Sequence, residues 1–255
     1  DARFSPRGRY VSFIRDQNLF VYDLDAGAER AITRDGGGLV SYGMAEFIAQ
    51  EEMDRDTGYW WAPDDSALAF TRVDESGVAE AERFEIYADT VKVVKQRYPF
   101  AGAANAEVQL FVTPLTSSTP VRIDLGDNAD IYLARVNWFP DARSLAVQRH
   151  SRDQKTLTLL KADAATGDTR VLLTERSDTW VPLHNELTFL KRTPAFIWAS
   201  QASGFKHLYL HSNDGTLIRP LTQGEWMVIG DGRAIRGVDE QKGLVYFMAN
   251  HDTPL

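Results

Sequence analysis

Apolar and polar residues alternate along most of this chain in short runs, each closed by Asp, Gly or Pro. A period of two puts one side of each run toward a core and predicts pleated strands rather than helices. Three segments share one order. Val21-Tyr22-Asp23-Leu24-Asp25-Ala26-Gly27 leads to Arg30-Ala31-Ile32-Thr33. Leu159-Leu160-Lys161-Ala162-Asp163-Ala164-Ala165-Thr166-Gly167 leads to Arg170-Val171-Leu172-Leu173-Thr174. Leu208-Tyr209-Leu210-His211-Ser212-Asn213-Asp214-Gly215 leads to Arg219-Pro220-Leu221-Thr222. Each predicts a strand, an Asp/Gly turn and a second strand ending in Thr, with Gly supplying the positive φ of a tight hairpin. Leu110-Phe111-Val112-Thr113 followed by Val121-Arg122-Ile123 is a looser fourth copy.

A second motif precedes the hairpins: Phe4-Ser5-Pro6-Arg7-Gly8, Trp61-Ala62-Pro63-Asp64-Asp65 and Phe139-Pro140-Asp141-Ala142-Arg143. Pro fixes φ and Asp or Gly closes the turn, so each predicts a corner between strands. Ile123, Thr174 and Thr222 follow one another at spacings of 51 and 48 residues, and Thr33 to Ile123 spans 90, nearly two periods or one with an insertion. Strands in fours that recur at about 50 residues predict an all-β chain built as part of a β-propeller, with about four to five four-stranded blades. A β-sandwich also has short strands, but gives no reason for one turn pattern to return at a near-fixed period. Helix is expected only in a few dozen residues, mostly inside Gly43 to Asp54 and near Ile86 to Lys95.

Composition narrows the function. Lys plus Arg number 28 against 36 Asp plus Glu, a net charge of −8 that lacks the basic footprint of nucleic-acid binders. No run approaches the roughly 18 apolar residues of a membrane-spanning helix. Cysteine is absent, which excludes disulfides, thiolate catalysis and cysteine-bound metals. The chain opens Asp1-Ala2-Arg3 without Met and closes just after a strand-like run, so it reads as a piece of something longer.

Met44-Ala45-Glu46-Phe47-Ile48-Ala49-Gln50-Glu51-Glu52-Met53-Asp54 breaks the strand pattern. Apolar residues at 44, 47, 48 and 53 suit one side of a short helix. On a helix Glu51 and Glu52 point about 100° apart and can serve one site, whereas on a strand they face opposite sides. Two close carboxylates repel unless a cation joins them, and an ammonium brings three donors and a full charge. A solvated acidic surface stretch is the plainer reading of spacing alone.

Other candidates carry less. His207 and His211 lie in a strand-like run, about 13 Å apart, too far to share zinc. Gly36-Gly37-Gly38 lacks the context of a phosphate loop and reads as a flexible connector. Ser212 to Thr216 lacks the oxygen ligands of a calcium loop. The six Trp residues suit blade packing better than a sugar platform. No metal or other cofactor is expected.

The stretch Ala45-Glu46-Phe47-Ile48-Ala49-Gln50-Glu51-Glu52-Met53, followed by Gly58-Tyr59-Trp60-Trp61-Ala62-Pro63-Asp64, resembles the glutamate-motif region of the dipeptidyl peptidase IV family. Tyr98-Pro99-Phe100-Ala101-Gly102-Ala103-Ala104-Asn105-Ala106-Glu107-Val108 resembles the same family's Tyr-Pro-x-Ala-Gly-x-x-Asn-x-x-Val segment. The absence of the animal members' cysteines favours bacterial members. The resemblance implies an eight-bladed propeller followed by a C-terminal α/β-hydrolase domain, in serine exopeptidases that release X-Pro or X-Ala dipeptides. It assigns Glu51 and Glu52 to the substrate's N-terminal ammonium. The helical insertion would cover about 43–56, within one propeller domain spanning 1–255. No Gly-x-Ser-x-Gly elbow occurs, so no catalytic residue is expected in this chain, which alone should be inactive. Trp180 to His184 is a further segment that lines the central cavity in the family. The implied partners are peptides with a free N-terminus, the hydrolase domain of the same polypeptide and a second copy. The implied location is the periplasm or the exterior. The competing readings are a non-catalytic interaction propeller and a tripeptidyl or acylaminoacyl peptidase.

Overall fold

A computed structural model of the chain describes residues 2–117, 119–230 and 232–251. The described residues form short antiparallel sheets in chain order and one α-helix. The first sheet is β1 (Arg3–Phe4), β2 (Tyr10–Arg15), β3 (Asn18–Asp23) and β4 (Ala28–Ala31), each strand beside the next. The second holds β5 (Val40–Tyr42), then α1 (Phe47–Glu52), β6 (Tyr59–Trp61) and β7 (Ala67–Asp74). A hairpin of β8 (Glu80–Ile86) and β9 (Val91–Arg97) interrupts it before β10 (Glu107–Pro114) and β11 (Val121–Arg122). The third is β12 (Ile131–Trp138), β13 (Ser144–Ser151), β14 (Thr156–Asp163) and β15 (Thr169–Arg176). The fourth is β16 (Thr188–Phe189), β17 (Ala195–Ser200), β18 (His207–Ser212) and β19 (Leu217–Pro220), and β20 (Ile235–Asp239) with β21 (Leu244–Phe247) forms a last hairpin. Successive antiparallel sheets, three of them with four strands in sequence order and one with its inner strand interrupted into two, are propeller blades.

The repeated motifs earn their place in the backbone. At the three Pro corners the N–H of Gly8, Asp65 and Ala142 donates to the carbonyl of Ser5, Ala62 and Phe139 (2.9, 3.0 and 3.1 Å). All three have positive φ, so the same turn is made with Gly, Asp and Ala. Ala there is strained, since left-handed backbone disfavours a Cβ. Gly167 and Gly215 answer a different need. A Cβ on either would stand 2.1 Å from the carbonyl oxygen of Arg122 or Leu172, on the last strand of the preceding sheet. The terminal Thr of the hairpin motif also has a job: Thr33 and Thr222 Oγ1 accept from the N–H of Leu19 and Leu208 (3.0 and 2.9 Å).

The chain divides into two compact units, residues Asp1–Leu145 with Ala162–Thr169, and Ala146–Lys161 with Arg170–Leu255. In the first, Leu19, Val21, Tyr42, Tyr59, Leu68 and Phe70 form a core between the first two sheets. Trp61 Nε1 donates to Ser12 Oγ (2.8 Å), and buried Asp65 accepts from Ser5 Oγ (2.6 Å) and Arg7 N–H (3.0 Å). In the second, Ile197, Ala199, Leu208, Val228, Ala234 and Ile235 form a separate core. Buried Glu186 accepts from the N–H groups of Ala234 and Ile235 beside it.

Two expectations are corrected. Among the described residues, α-helix is confined to the six of Phe47–Glu52, and Ile86 to Lys95 is not helical but belongs to the β8–β9 hairpin. There Phe84 pairs with Val93 and Ile86 with Val91, while Lys95 meets Glu80 at 3.2 Å, so cross-strand pairing overrides the mixed Lys/Val pattern. Nor is Gly36 to Gly38 a loose connector. Gly36 N–H donates to Asn18 Oδ1 at 2.9 Å, and a Cβ on Gly36 would stand 2.3 Å from the Gln17 carbonyl oxygen.

Candidate functional site

The helix α1 sits inside an interrupted inner strand. Tyr42 pairs with Arg72 of β7, and the strand resumes with Tyr59 opposite Phe70. Only Thr71 lies between, and it closes the neck of the excursion. Gly43 N–H donates to Thr71 O, Thr71 N–H donates to Gly58 O (both 2.8 Å), and Thr71 Oγ1 donates to Met44 O (2.8 Å). Gly58 is needed for closeness, since a Cβ there would stand 2.3 Å from Met44 O.

Within the excursion the buried stripe is Ala45, Ala49 and Met53, at 6%, 0% and 5% exposure. That is a spacing of four, one helical face. Met44, expected on that face, is exposed, and Phe47 and Ile48 are half-buried. Small residues let the helix lie close to its support. Glu46 at the N-cap makes no cap bond with its side chain. Its carboxylate instead meets Arg55 Nη2 at 2.5 Å, and both side chains are buried. Arg55 also donates from Nε to Leu133 O (3.1 Å) and from Nη1 to Thr57 O (2.8 Å). The guanidinium thus clamps the start of α1, the neck and β12 together. Beyond the helix Asp54 has φ 50, and Arg55 N–H bonds back to Ala49 O at 3.0 Å.

Glu51 and Glu52 are the last two residues of α1, and both are exposed. They stand at the end where unpaired carbonyls leave partial negative charge, and no basic residue lies in the last turn. Two carboxylates there disfavour the helix by about 0.3–1 kcal/mol each. Exposed Asp54 and Asp56 add to the field. Half-buried Arg135 of β12 is the neighbouring cation; burial and the charge of Arg55 pull its guanidinium below the ordinary value, with Asp54 opposing. The segment after β9 leans on the helix through Phe47 and Tyr98, whose rings meet edge-on at 5.1 Å, and Tyr98 in turn meets Phe100 at 4.8 Å.

The second unit holds a cleft of about 670 Å³ whose lining includes Glu175, Trp180, Trp198, Tyr209 and His211. Burial pushes the Glu175 carboxyl up, against the bonds it receives from Trp198 Nε1 (2.5 Å) and Ser200. Trp180 is exposed at this cleft. His207 and His211 serve the fold: His207 bonds Thr222 Oγ1 and Gly224 O, and His211 bonds Gly215 O. Among the described residues no group of three or more His, Asp or Glu could hold a metal, and no helix is long and apolar enough to cross a membrane.

The profile of the family described as the dipeptidyl peptidase IV (DPP IV) N-terminal region matches residues 1–255. The chain belongs to the dipeptidyl peptidase IV family. It is 30% identical over 99% of its length to a protein of Emericella nidulans named "Probable dipeptidyl peptidase 4", of which it covers 35%. It is 26% identical over 96% of its length to the dipeptidyl peptidase 4 of Trichophyton rubrum, covering 33% of that protein. The crystal structure of Porphyromonas gingivalis dipeptidyl peptidase 4 superposes on the whole chain with a TM-score of 0.89 at 29% identity, over 36% of its own length. This dipeptidyl peptidase IV N-terminal region therefore spans about a third of the relatives it matches. Sequence reading singled out Glu51 and Glu52, which the structure sets side by side at the end of α1, but not Glu46, Arg55 and Thr71, which hold that helix. The one available signal was an opposite-charge pair flanking the helix, at 46 and 55.

Proposed function

We propose that this chain is the substrate-admitting part of a dipeptidyl peptidase IV-like serine exopeptidase, in which Glu51 and Glu52 bind the free ammonium of a peptide's N-terminus. The observation that carries this reading is a pair of adjacent exposed carboxylates at the unfavourable end of a helix whose base is fixed by a buried ion pair. A rigid mount for mutually repelling groups suits a cationic ligand. Each bond from an ammonium to a carboxylate is charge-assisted. Holding the N-terminus fixes which peptide bond reaches a nucleophile, and positioning of this kind lowers a barrier by several kcal/mol. The nucleophile and its partners belong to the C-terminal α/β-hydrolase domain of the same polypeptide, and the product is an X-Pro or X-Ala dipeptide. The full-length enzyme acts as a homodimer, in the periplasm or outside the cell, where peptides with free N-termini are its substrates.

The test uses the full-length gene product with a Gly-Pro anilide and its N-acetylated form. The expected result is cleavage of the free-amine substrate alone. Glu51→Gln or Glu52→Gln should lower kcat/KM by about 10- to 150-fold, the equivalent of one charge-assisted bond of about 1.5–3 kcal/mol. Equal cleavage of both substrates refutes the ammonium role. A folded protein that cleaves neither returns the chain to the interaction-scaffold reading.

A further inference from the structure

Residues 98–106 carry the chain from the β8–β9 hairpin back to β10, lying against α1 through Tyr98 and Phe47. Asn105 stands near the end of this segment. Both polar atoms of its side-chain amide are buried, and neither meets a hydrogen-bond partner. Buried amides in native proteins are satisfied, and where protein groups do not reach them, internal water does. The amide borders a pocket of about 10 Å³ that is also lined by Glu46, Phe47, Ile48, Glu75 and Tyr132. That space is about one water probe, and a buried water needs two to four polar partners. The amide and the two carboxylates supply both donors and acceptors. Burial pushes the Glu75 carboxyl above its ordinary range, as a partly desolvated group in such a pocket requires. Glu46 is the N-cap of α1 and already accepts from Arg55.

We infer that Asn105 is a positioning residue, which through one internal water ties segment 98–106 to Glu46 and thereby sets where α1 presents Glu51 and Glu52. The consequence for substrate rests on the ammonium-binding role proposed above, whereas the tie itself does not. An apolar side chain at 105 breaks the bridge without touching substrate. The helix then loses one of its two anchors at Glu46, the other being Arg55.

The experiment uses the full-length protein and three readouts. The first is a high-resolution crystal structure. It should show one ordered water within hydrogen-bonding distance of the Asn105 amide and the Glu46 carboxylate; a dry pocket, or a water that bonds neither, overturns the inference. The second is hydrogen exchange of the α1 amides, expected to quicken about tenfold in Asn105→Leu and to return toward wild type in Asn105→Ser, whose hydroxyl can hold the same water. Unchanged exchange overturns the tie. The third is kinetic: Asn105→Leu should raise KM for the Gly-Pro anilide about tenfold with kcat within twofold, and the rise should vanish in a Glu51→Gln, Glu52→Gln background. A fall in kcat at constant KM, or the same rise in that background, overturns the positioning role. If the wild-type enzyme does not discriminate the free amine, the ammonium reading fails by itself, and the crystal and exchange readouts still decide the tie. If Asn105→Leu does not fold, Asn105→Ser and the wild-type crystal decide it.

Discussion

Arg55→Met is the most informative single change in the first unit. Arg55 and Glu46 are 3% and 7% exposed, and their charged atoms lie 2.5 Å apart. Removing one partner of a buried pair leaves the other charge uncompensated, at about 3–5 kcal/mol. The carbonyls of Leu133 and Thr57 lose donors as well, adding about 1 kcal/mol each, while the Met side chain refills part of the volume. A loss of about 4–6 kcal/mol is comparable with the whole stability of an ordinary domain, about 5–15 kcal/mol. It should appear first as local opening of residues 43–58, because this excursion can detach at its neck while β7 keeps its ladder. Glu46→Gln in the same protein neutralises the stranded charge, so the double variant should recover about 2–3 kcal/mol of the single loss. Urea unfolding of the full-length protein measures the total, and hydrogen exchange at Gln50 and Met53, whose N–H groups donate to Glu46 O and Ala49 O, measures the local part. A destabilisation under about 1 kcal/mol, with exchange of those amides unchanged, would refute the clamp.

Gly58→Ala should spread the neck, because its Cβ lies 2.3 Å from Met44 O and 2.5 Å from Met44 N; crystallography should show α1 displaced by a few tenths of an ångström or more, and an unmoved helix would contradict this. Gly215→Ala meets both a backbone carbonyl at 2.1 Å and a φ of +98, so a loss of about 2 kcal/mol or more is expected, and denaturant titration showing under 0.5 would be a failure. Glu175 gives a pH effect of definite sign. Its folded carboxyl is raised from the ordinary 4.5 by burial, so the folded state favours the protonated form and loses stability as pH climbs above that ordinary value. Glu175→Gln is neutral throughout and can still accept from Trp198 Nε1. Its melting temperature relative to that of the wild type should rise as pH climbs above 4.5, and parallel curves for the two proteins would count against the buried carboxyl.

Much of the fold was legible because its signals are local. The Pro corners at 5–8, 62–65 and 139–142 and the Asp/Gly hairpins mark the same turns in successive sheets. Period-two runs such as Leu208-Tyr209-Leu210 need no distant partner to be recognised. The β8–β9 hairpin was misread because neither face is buried: Phe84, Ile86, Val91 and Val93 are all exposed, so no hydrophobic contrast marks the alternation. Gly36 was misread because its role depends on Gln17, a neighbour brought near only by folding. At the candidate site, Glu51 and Glu52 were singled out through motif wording. The ion pair of Glu46 and Arg55 and the buried amide of Asn105 were not. Each acquires its meaning from contacts that chain topology creates, and residue type alone does not announce them.

The neck at Thr71 has a bearing on how such a chain can change over time. The inner strand lapses for the whole interval between Tyr42 and Tyr59, yet on its partner β7 a single residue, Thr71, separates the two paired positions. The sheet therefore does not register how long the interval is or what it contains. Residues 45–57 form a cassette bounded by two fixed hinges, Gly43 and Gly58. Such a cassette can exchange its exposed charges, those of Glu51, Glu52, Asp54 and Asp56, without shifting a single strand pairing. The make-up of the helical excursion and the pairing of β7 are thereby placed under separate selection within one sheet.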